Sequence, residues 1–247
     1  MTQQYITLIT GAGRELGIGY QTALQLAKEN YTVIITGRNA ATLQTLAEKA
    51  ASQGLLLIPL VLDVNSDASV QAAVTFIENK FGKLDVLVNN AVSPDYYGGE
   101  ALINFKDAEL DKLRNIFETN VLSVFRLTQA MLPLLRKSEH ARIVNVSSQQ
   151  GKVSDLEYIS KSGGMTFYGM SKAALNAFTV KLAKDLAADG IMVNAVTPGF
   201  TANHDFAKGM SAARPVEDGA RSMVLAVMQP KGGPSGEWFK DGEVIGW

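Results

Sequence analysis

This chain is expected to form an α/β fold, a doubly wound parallel sheet of about seven strands with helices on both faces. Short apolar runs closed by turn residues alternate along it with stretches of helical period. Such alternation calls for right-handed crossovers, which lay helices over both faces of a parallel sheet. A length of 247 residues, 47% hydrophobic and 19% charged, suits one globular unit over 1–247 that buries a large core without staples.

The elements follow in order. Residues 5–10 read as a buried strand and 18–30 as a helix, with Ala23, Leu24, Leu26 and Ala27 spaced for one buried face. A strand over 32–36 and a helix over 40–52 come next. The strand at 55–62 contains Pro59, so it needs a position with one free donor or a late start. Ser66 is placed to cap a helix over 66–81, ahead of a strand at 86–89. A long helix spans 107–137, with a bend or stop expected near Pro133. A strand at 142–146, a helix at 165–189, a strand at 191–197, a helix at 216–228 and a short strand at 237–240 complete the chain. No linker, repeat or low-complexity segment interrupts this order.

Composition removes several chemistries. Lys plus Arg number 23 and Asp plus Glu 24, a net charge of −1 with no basic block, so nucleic acid is not an expected partner. The absence of cysteine excludes thiol catalysis, disulfides and Cys-ligated zinc. His140 and His204 are the only histidines, both in polar stretches expected to be exposed, so no metal site or Ser-His-Asp triad is expected. There is no signal-like N-terminal run and no stretch near the ~20 apolar residues of a membrane span, which points to a cytoplasmic protein.

In a doubly wound sheet, ligands lie beyond the carboxyl ends of the strands. The first such loop is Thr10-Gly11-Ala12-Gly13-Arg14-Glu15-Leu16-Gly17-Ile18-Gly19. Glycines there allow positive φ and close approach of backbone to ligand, and the helix start offers N–H groups to a pyrophosphate. Alone, the run could be a tight strand-to-helix turn; its place between the first strand and first helix favours a dinucleotide. The second strand ends Thr36-Gly37-Arg38, where an NAD enzyme usually carries a carboxylate. Arg38, with Arg14 as a possible second cation, favours the 2′-phosphate of NADPH over a merely solvated role. Asp63, followed by Val64, can accept from an adenine amino group or cap a turn. Asn89-Asn90-Ala91 can fix a loop beside a cofactor or form an ordinary Asx turn.

Tyr168 and Lys172 lie four residues apart, one turn of helix, on one face. A free phenol has a pKa near ~10, and an adjacent ammonium pulls it toward neutrality. The pair can therefore act as an acid/base unit, although by itself it could equally be an exposed Tyr and Lys on an amphipathic helix.

Taken together, Thr10-Gly11-Ala12…Gly17-Ile18-Gly19, Asp63-Val64, Asn89-Asn90-Ala91, Asn120, Asn145-Val146-Ser147-Ser148, Tyr168-x3-Lys172 and Pro198-Gly199 stand in the order of the short-chain dehydrogenase/reductase family, across nearly the whole chain. The ending around 233–242 resembles carbonyl-reductase-like members. The resemblance implies a Rossmann fold and an NADPH-dependent reductase acting on a ketone or aldehyde. It implies Tyr168 as general acid, Lys172 as its pKa partner and ribose ligand, Ser148 as donor to the substrate carbonyl, and Asn120 as holder of a relay water. Pro198, Gly199 and Thr201 would lie by the nicotinamide. It also implies a homodimer or homotetramer through long-helix pairing.

Three departures stand out. Gly13-Arg14-Glu15-Leu16 fills a place where the family usually has two residues, a length similar to the enoyl-reductase branch, and it leaves open whether Gly11 or Gly13 makes the first turn. Val92 replaces a usual glycine and would narrow the pocket floor. Ser148 and Tyr168 are further apart than usual, with extra residues in 152–167 forming an enlarged substrate-side loop. Loops near 93–105, 152–167 and 200–214 should overhang the nicotinamide. If several of Tyr96, Tyr97, Tyr158, Phe167, Phe200 and Phe206 line the pocket, the substrate is apolar or aromatic; otherwise they are local packing. The competing readings are an enoyl-thioester reductase and a catalytically silent NADPH-binding regulator.

Overall fold

The computed structural model describes residues 4–96, 106, 109–161, 165–203 and 209–247. Its sheet has eight strands in the order β3-β2-β1-β4-β5-β6-β7-β8. These are β1 (Ile6–Ile9), β2 (Thr32–Gly37), β3 (Leu57–Val61), β4 (Val86–Asn89), β5 (Arg142–Val146), β6 (Met192–Val196), β7 (Trp238–Lys240) and β8 (Glu243–Val244). Every pairing is parallel except that of β8, which folds back antiparallel on β7. The chain leaves the edge at β3 and resumes at β4 on the other side of β1, so a crevice opens beyond β1 and β4. Pro59 sits in the outermost strand, where a missing donor is tolerated.

Strand residues alternate between two buried layers, as the period of two requires. Ile9, Val33, Ile35 and Val88 pack under α1 (Ile18–Lys28), α2 (Ala40–Ala51) and α8 (Val216–Val227). Leu8, Ile34, Leu87 and Ile143 pack under α3 (Asp67–Phe81), α5 (Ser123–Leu135) and α7 (Thr166–Asp185). Ser66 caps α3 as expected, accepting from the Ser69 N–H at 3.3 Å.

The long helix departs from expectation. Residues 107 and 108 lie outside those described, and α4 (Leu110–Phe117) passes into α5 through a π-turn at Glu118–Leu122. Pro133 lies inside α5 and does not end it. The irregularity instead falls at the widened turn carrying Asn120, whose side chain points inward. The enlarged loop contains a short helix, α6 (Leu156–Lys161), with no buried residue. The helix expected over 165–189 is α7 followed by a 3-10 turn at Ala187–Asp189. His140 is half-buried rather than exposed, because its ring meets Tyr5 edge-on at 5.0 Å, at the amino end of β5.

Candidate active site

A cleft of about 790 Å³ opens at the carboxyl ends of the strands, within the range of small-molecule sites. Gly11, Arg14, Gly17 and Ile18 line it from the loop after β1, and Arg38, Asp63 and Val64 from the ends of β2 and β3. Asn90, Ala91 and Val92 face it from β4, and Ser148 from β5. Tyr168 and Lys172 face it from α7, and Pro198, Gly199 and Thr201 from β6. Gly19 and Asn120 do not line it.

Gly11 makes the first turn. It has φ +66°, and a Cβ there would lie 2.7 Å from the Ala91 Cα. Gly19 has no room either, since its Cβ would meet the Asn90 side chain at 2.5 Å. The loops after β1 and β4 are thus packed backbone to backbone. Thr10, to which the sequence assigned no role, joins them: its hydroxyl accepts from the N–H groups of Asn90 and Ala91, both at 2.9 Å. Asn90 returns its amide to the Thr10 carbonyl at 2.7 Å. The inserted residues bulge toward α2, where Glu15 pairs with Lys49. Arg14 reaches across the mouth to the Asn203 carbonyl at 3.3 Å. Arg38 is exposed.

On the other side, α7 lays a polar stripe on β5. The Lys172 ammonium donates to the Val146 carbonyl at 2.7 Å. The Ser147 hydroxyl donates to the Asn176 carbonyl oxygen, and the Asn176 amide donates to the Gly151 carbonyl at 3.1 Å. Asn145 donates to Thr179 at 2.9 Å and accepts from Asn89 at 2.8 Å, tying β4 into the same set. Ser148 caps the following turn, accepting from the Gln150 N–H at 3.2 Å. Gly151 and Gly169 let that turn touch α7: their Cβ atoms would lie 2.7 Å from the Lys172 carbonyl carbon and 2.9 Å from the Gln150 oxygen. Helical spacing from Lys172 could have singled out Asn176 and Thr179.

Lys172 Nζ lies 5.6 Å from the centre of the Tyr168 ring. Burial lowers the lysine pKa to about 7, because the charged form loses its hydration. Asn120 sits behind this pair at 0% exposure. Its carbonyl oxygen accepts from the Ser93 N–H and its amide donates to the Ser171 hydroxyl, both at 3.0 Å. Of the six aromatic candidates, Tyr158 and Phe200 line the cleft and Phe167 does not. Tyr97 and Phe206, like His204, fall outside the described residues, as does the side chain of Tyr96.

The lysine gives a pH-dependent expectation. Its folded pKa is below its unfolded value, so folding is opposed fully below about 7, and the penalty fades as pH rises toward the unfolded value of 10.5. In the absence of nucleotide, Lys172→Met should therefore raise Tm relative to the parent most at pH 6–7, and the difference should shrink steadily by pH 10. Thermal melts across that range check it, and a pH-independent difference refutes a desolvated ammonium.

The short chain dehydrogenase profile matches residues 5–214. The short-chain dehydrogenase anuI of Penicillium roqueforti is 34% identical, over 91% of this chain and 88% of that protein. The 3-oxoacyl-[acyl-carrier-protein] reductase FabG of Pseudomonas aeruginosa is 36% identical, over 80% of this chain and 74% of that one. Among solved structures, NADPH-bound carbonyl reductase from chicken fatty liver superposes with a TM-score of 0.85 at 27% identity, covering 99% of this chain and 100% of that one. The chain belongs to the short-chain dehydrogenase family of NAD(P)-dependent oxidoreductases.

Proposed function

We propose that the protein is an NADPH-dependent reductase of ketone or aldehyde carbonyls, reversible toward the alcohol, with Tyr168 as general acid. The observation that carries this reading is Lys172, buried and bonded to β5, one helical turn from a tyrosine that lines the same cleft as Ser148.

The nucleotide side fits NADPH. Gly17, the residue before α1, offers no side-chain cap, so the first N–H groups of that helix are open to a pyrophosphate. Gly11, Ile18, Asn90 and Ala91 shape the floor against it, and Gly19 packs behind them on Asn90. Asp63 accepts from the Asn65 N–H at 3.0 Å and keeps acceptor capacity for an adenine amino group next to Val64. Arg38, with Arg14 on the lining of the same cleft, supplies cationic donors for a 2′-phosphate. Pro198, Gly199 and Thr201 border the nicotinamide end. NADPH-bound chicken carbonyl reductase supports the assignment as a relative.

Bound NADPH supplies the hydride to the carbonyl carbon. Negative charge then grows on the carbonyl oxygen, where the Ser148 and Tyr168 hydroxyls stabilise it as donors. Tyr168 gives up its proton, and the Lys172 ammonium favours the phenolate that remains. Lys172 also donates to ribose hydroxyls. Asn120 acts by position: it joins Ser93 to Ser171, next to Lys172, and its expected relay water would lie outside the cleft lining. Tyr158 and Phe200 give the carbonyl side an apolar, aromatic character suited to such substrates.

The same reading includes self-association. Leu122, Phe125, Met170 and Val180 remain 40–51% exposed on the π-turn, α5 and α7, a face that a second copy would cover. Light scattering should give a dimer or tetramer; a monomer at micromolar concentration removes this part.

Tyr168→Phe should bind NADPH as the parent does while reducing an aryl ketone at least ~10²-fold more slowly. An unchanged rate takes Tyr168 out of the mechanism, and turnover of only a crotonyl thioester transfers the protein to the enoyl-reductase reading. Arg38→Ala should raise KM for NADPH about tenfold or more and leave that for NADH within about twofold. Equal loss for both nucleotides refutes the 2′-phosphate contact.

A further inference from the structure

Asn176 does not line the cleft and is 6% exposed, yet it bonds the chain on both sides of Ser148. Its carbonyl oxygen accepts from the hydroxyl of Ser147, the residue before Ser148. Its amide donates to the carbonyl of Gly151, three residues after Ser148, at 3.1 Å. Asn176 stands on α7, the helix that also carries Tyr168, just over two turns further on.

The turn it brackets is closed on itself. The Gly151 N–H donates to the Ser148 carbonyl at 2.8 Å, and the Lys152 N–H to the Gln149 carbonyl at 3.0 Å. The Val153 N–H shares the Gly151 carbonyl with Asn176, at 3.2 Å. The Gln150 N–H donates to the Ser148 hydroxyl oxygen at 3.2 Å, which uses one lone pair and leaves the hydroxyl proton to be donated. These bonds fix the shape of the turn, but both partners of each belong to it, so they do not set its place against α7. Gly151 and Gly169 let the turn come close to the helix, and a contact without a side chain has little direction. The Asn176 bonds do have direction, since each depends on the angle at its donor and acceptor. Ser147 is fixed on its other side to β6, its N–H donating to the Val196 carbonyl at 2.8 Å.

We propose that Asn176 is a positioning residue: by tying Ser147 and Gly151 to α7, it holds the Ser148 hydroxyl in register with Tyr168, so that both donate to one carbonyl oxygen. The inference rests on the reductase function proposed above and on the part Ser148 plays in it. Ser148 and Tyr168 come from different elements, and two donors aimed at one developing charge must keep a fixed separation. Tyr168 takes its place from α7. Asn176 refers Ser148 to the same helix.

Single turnovers of the full chain test this. Enzyme loaded with NADPH is mixed with saturating aryl ketone, and the loss of nicotinamide absorbance gives the rate of hydride transfer. Asn176→Ala should slow that step about tenfold, while the Kd for NADPH from fluorescence titration stays within about twofold. Ser147→Ala removes one of the two bonds and should slow it about threefold. The decisive arm is a double-mutant cycle. Ser148→Ala alone should be slower by ~10²-fold or more. Adding Asn176→Ala to it should change the rate by less than about twofold, because the group being positioned is gone. Where Asn176→Ala is insoluble, Ser147→Ala with and without Ser148→Ala decides in the same way. An unchanged rate in the single variant overturns the proposal. So does an equal loss with and without Ser148, which would mean that Asn176 supports Tyr168, Lys172 or the helix at large, and so does a loss expressed in the Kd for NADPH alone. A parent protein that reduces no carbonyl compound ends the reductase reading and this inference with it. A Ser148→Ala protein as fast as the parent removes Ser148 from the reaction and this inference too; an active parent with an additive cycle ends this inference alone.

Discussion

Three polar side chains on one stripe of α7 grip the end of β5, and the remainder of the site is arranged around that grip. Lys172, Asn176 and Thr179 recur at helical spacing and meet Val146, Ser147 and Asn145 in turn. All six are buried, so each polar atom needs its partner. Lys172 is the costly member. An ammonium out of water is disfavoured, and a single carbonyl offsets only part of the cost, which is why its proton is held so weakly. Tyr168 inherits its position from the stripe, being one turn before Lys172 on a helix that cannot rotate without breaking it. Asn120 extends the constraint to a third element through Ser171.

The half of the cleft beside β1 and β4 is built on a different device. There the loops after β1 and β4 touch through Gly11, Gly19 and Ala91, with Thr10 and Asn90 exchanging hydrogen bonds at the junction. The two extra residues of the first loop are accommodated outward. Gly17 N–H closes a local turn on the Arg14 carbonyl at 2.9 Å, and Glu15 is drawn to Lys49, leaving the turn at Gly11 to frame the crevice. Arg14, within this loop, contacts the 200–203 segment through the Asn203 carbonyl.

Much of this was legible in the sequence because it is periodic. Strand and helix order, the capping Ser66, the edge position of Pro59 and the loops that carry Asp63, Asn90 and Ser148 all follow from local pattern. The parts that were not legible have no local period. Two-residue β8 is too short to register, and six-residue α6, with no fully buried side chain, is too short for its apolar spacing to stand out. The π-turn reads as ordinary helix, since the Asn120 side chain it carries finds its partners, Ser93 and Ser171, far away in the chain, and the bend was consequently assigned to Pro133. The charge of Arg14 could be seen, but not its reach to Asn203. His140 looked exposed because its neighbours are polar, while its ring contact, Tyr5, is 135 residues away in the chain.

The decisive observation is a crystal structure with NADP+ and an unreactive analogue of the carbonyl substrate. The Tyr168 and Ser148 hydroxyls should both lie within hydrogen-bonding distance of the analogue's oxygen, with Lys172 still bonded to Val146 and turned to the ribose. An analogue oxygen held by neither hydroxyl, or Lys172 swung away from β5, would contradict the arrangement described.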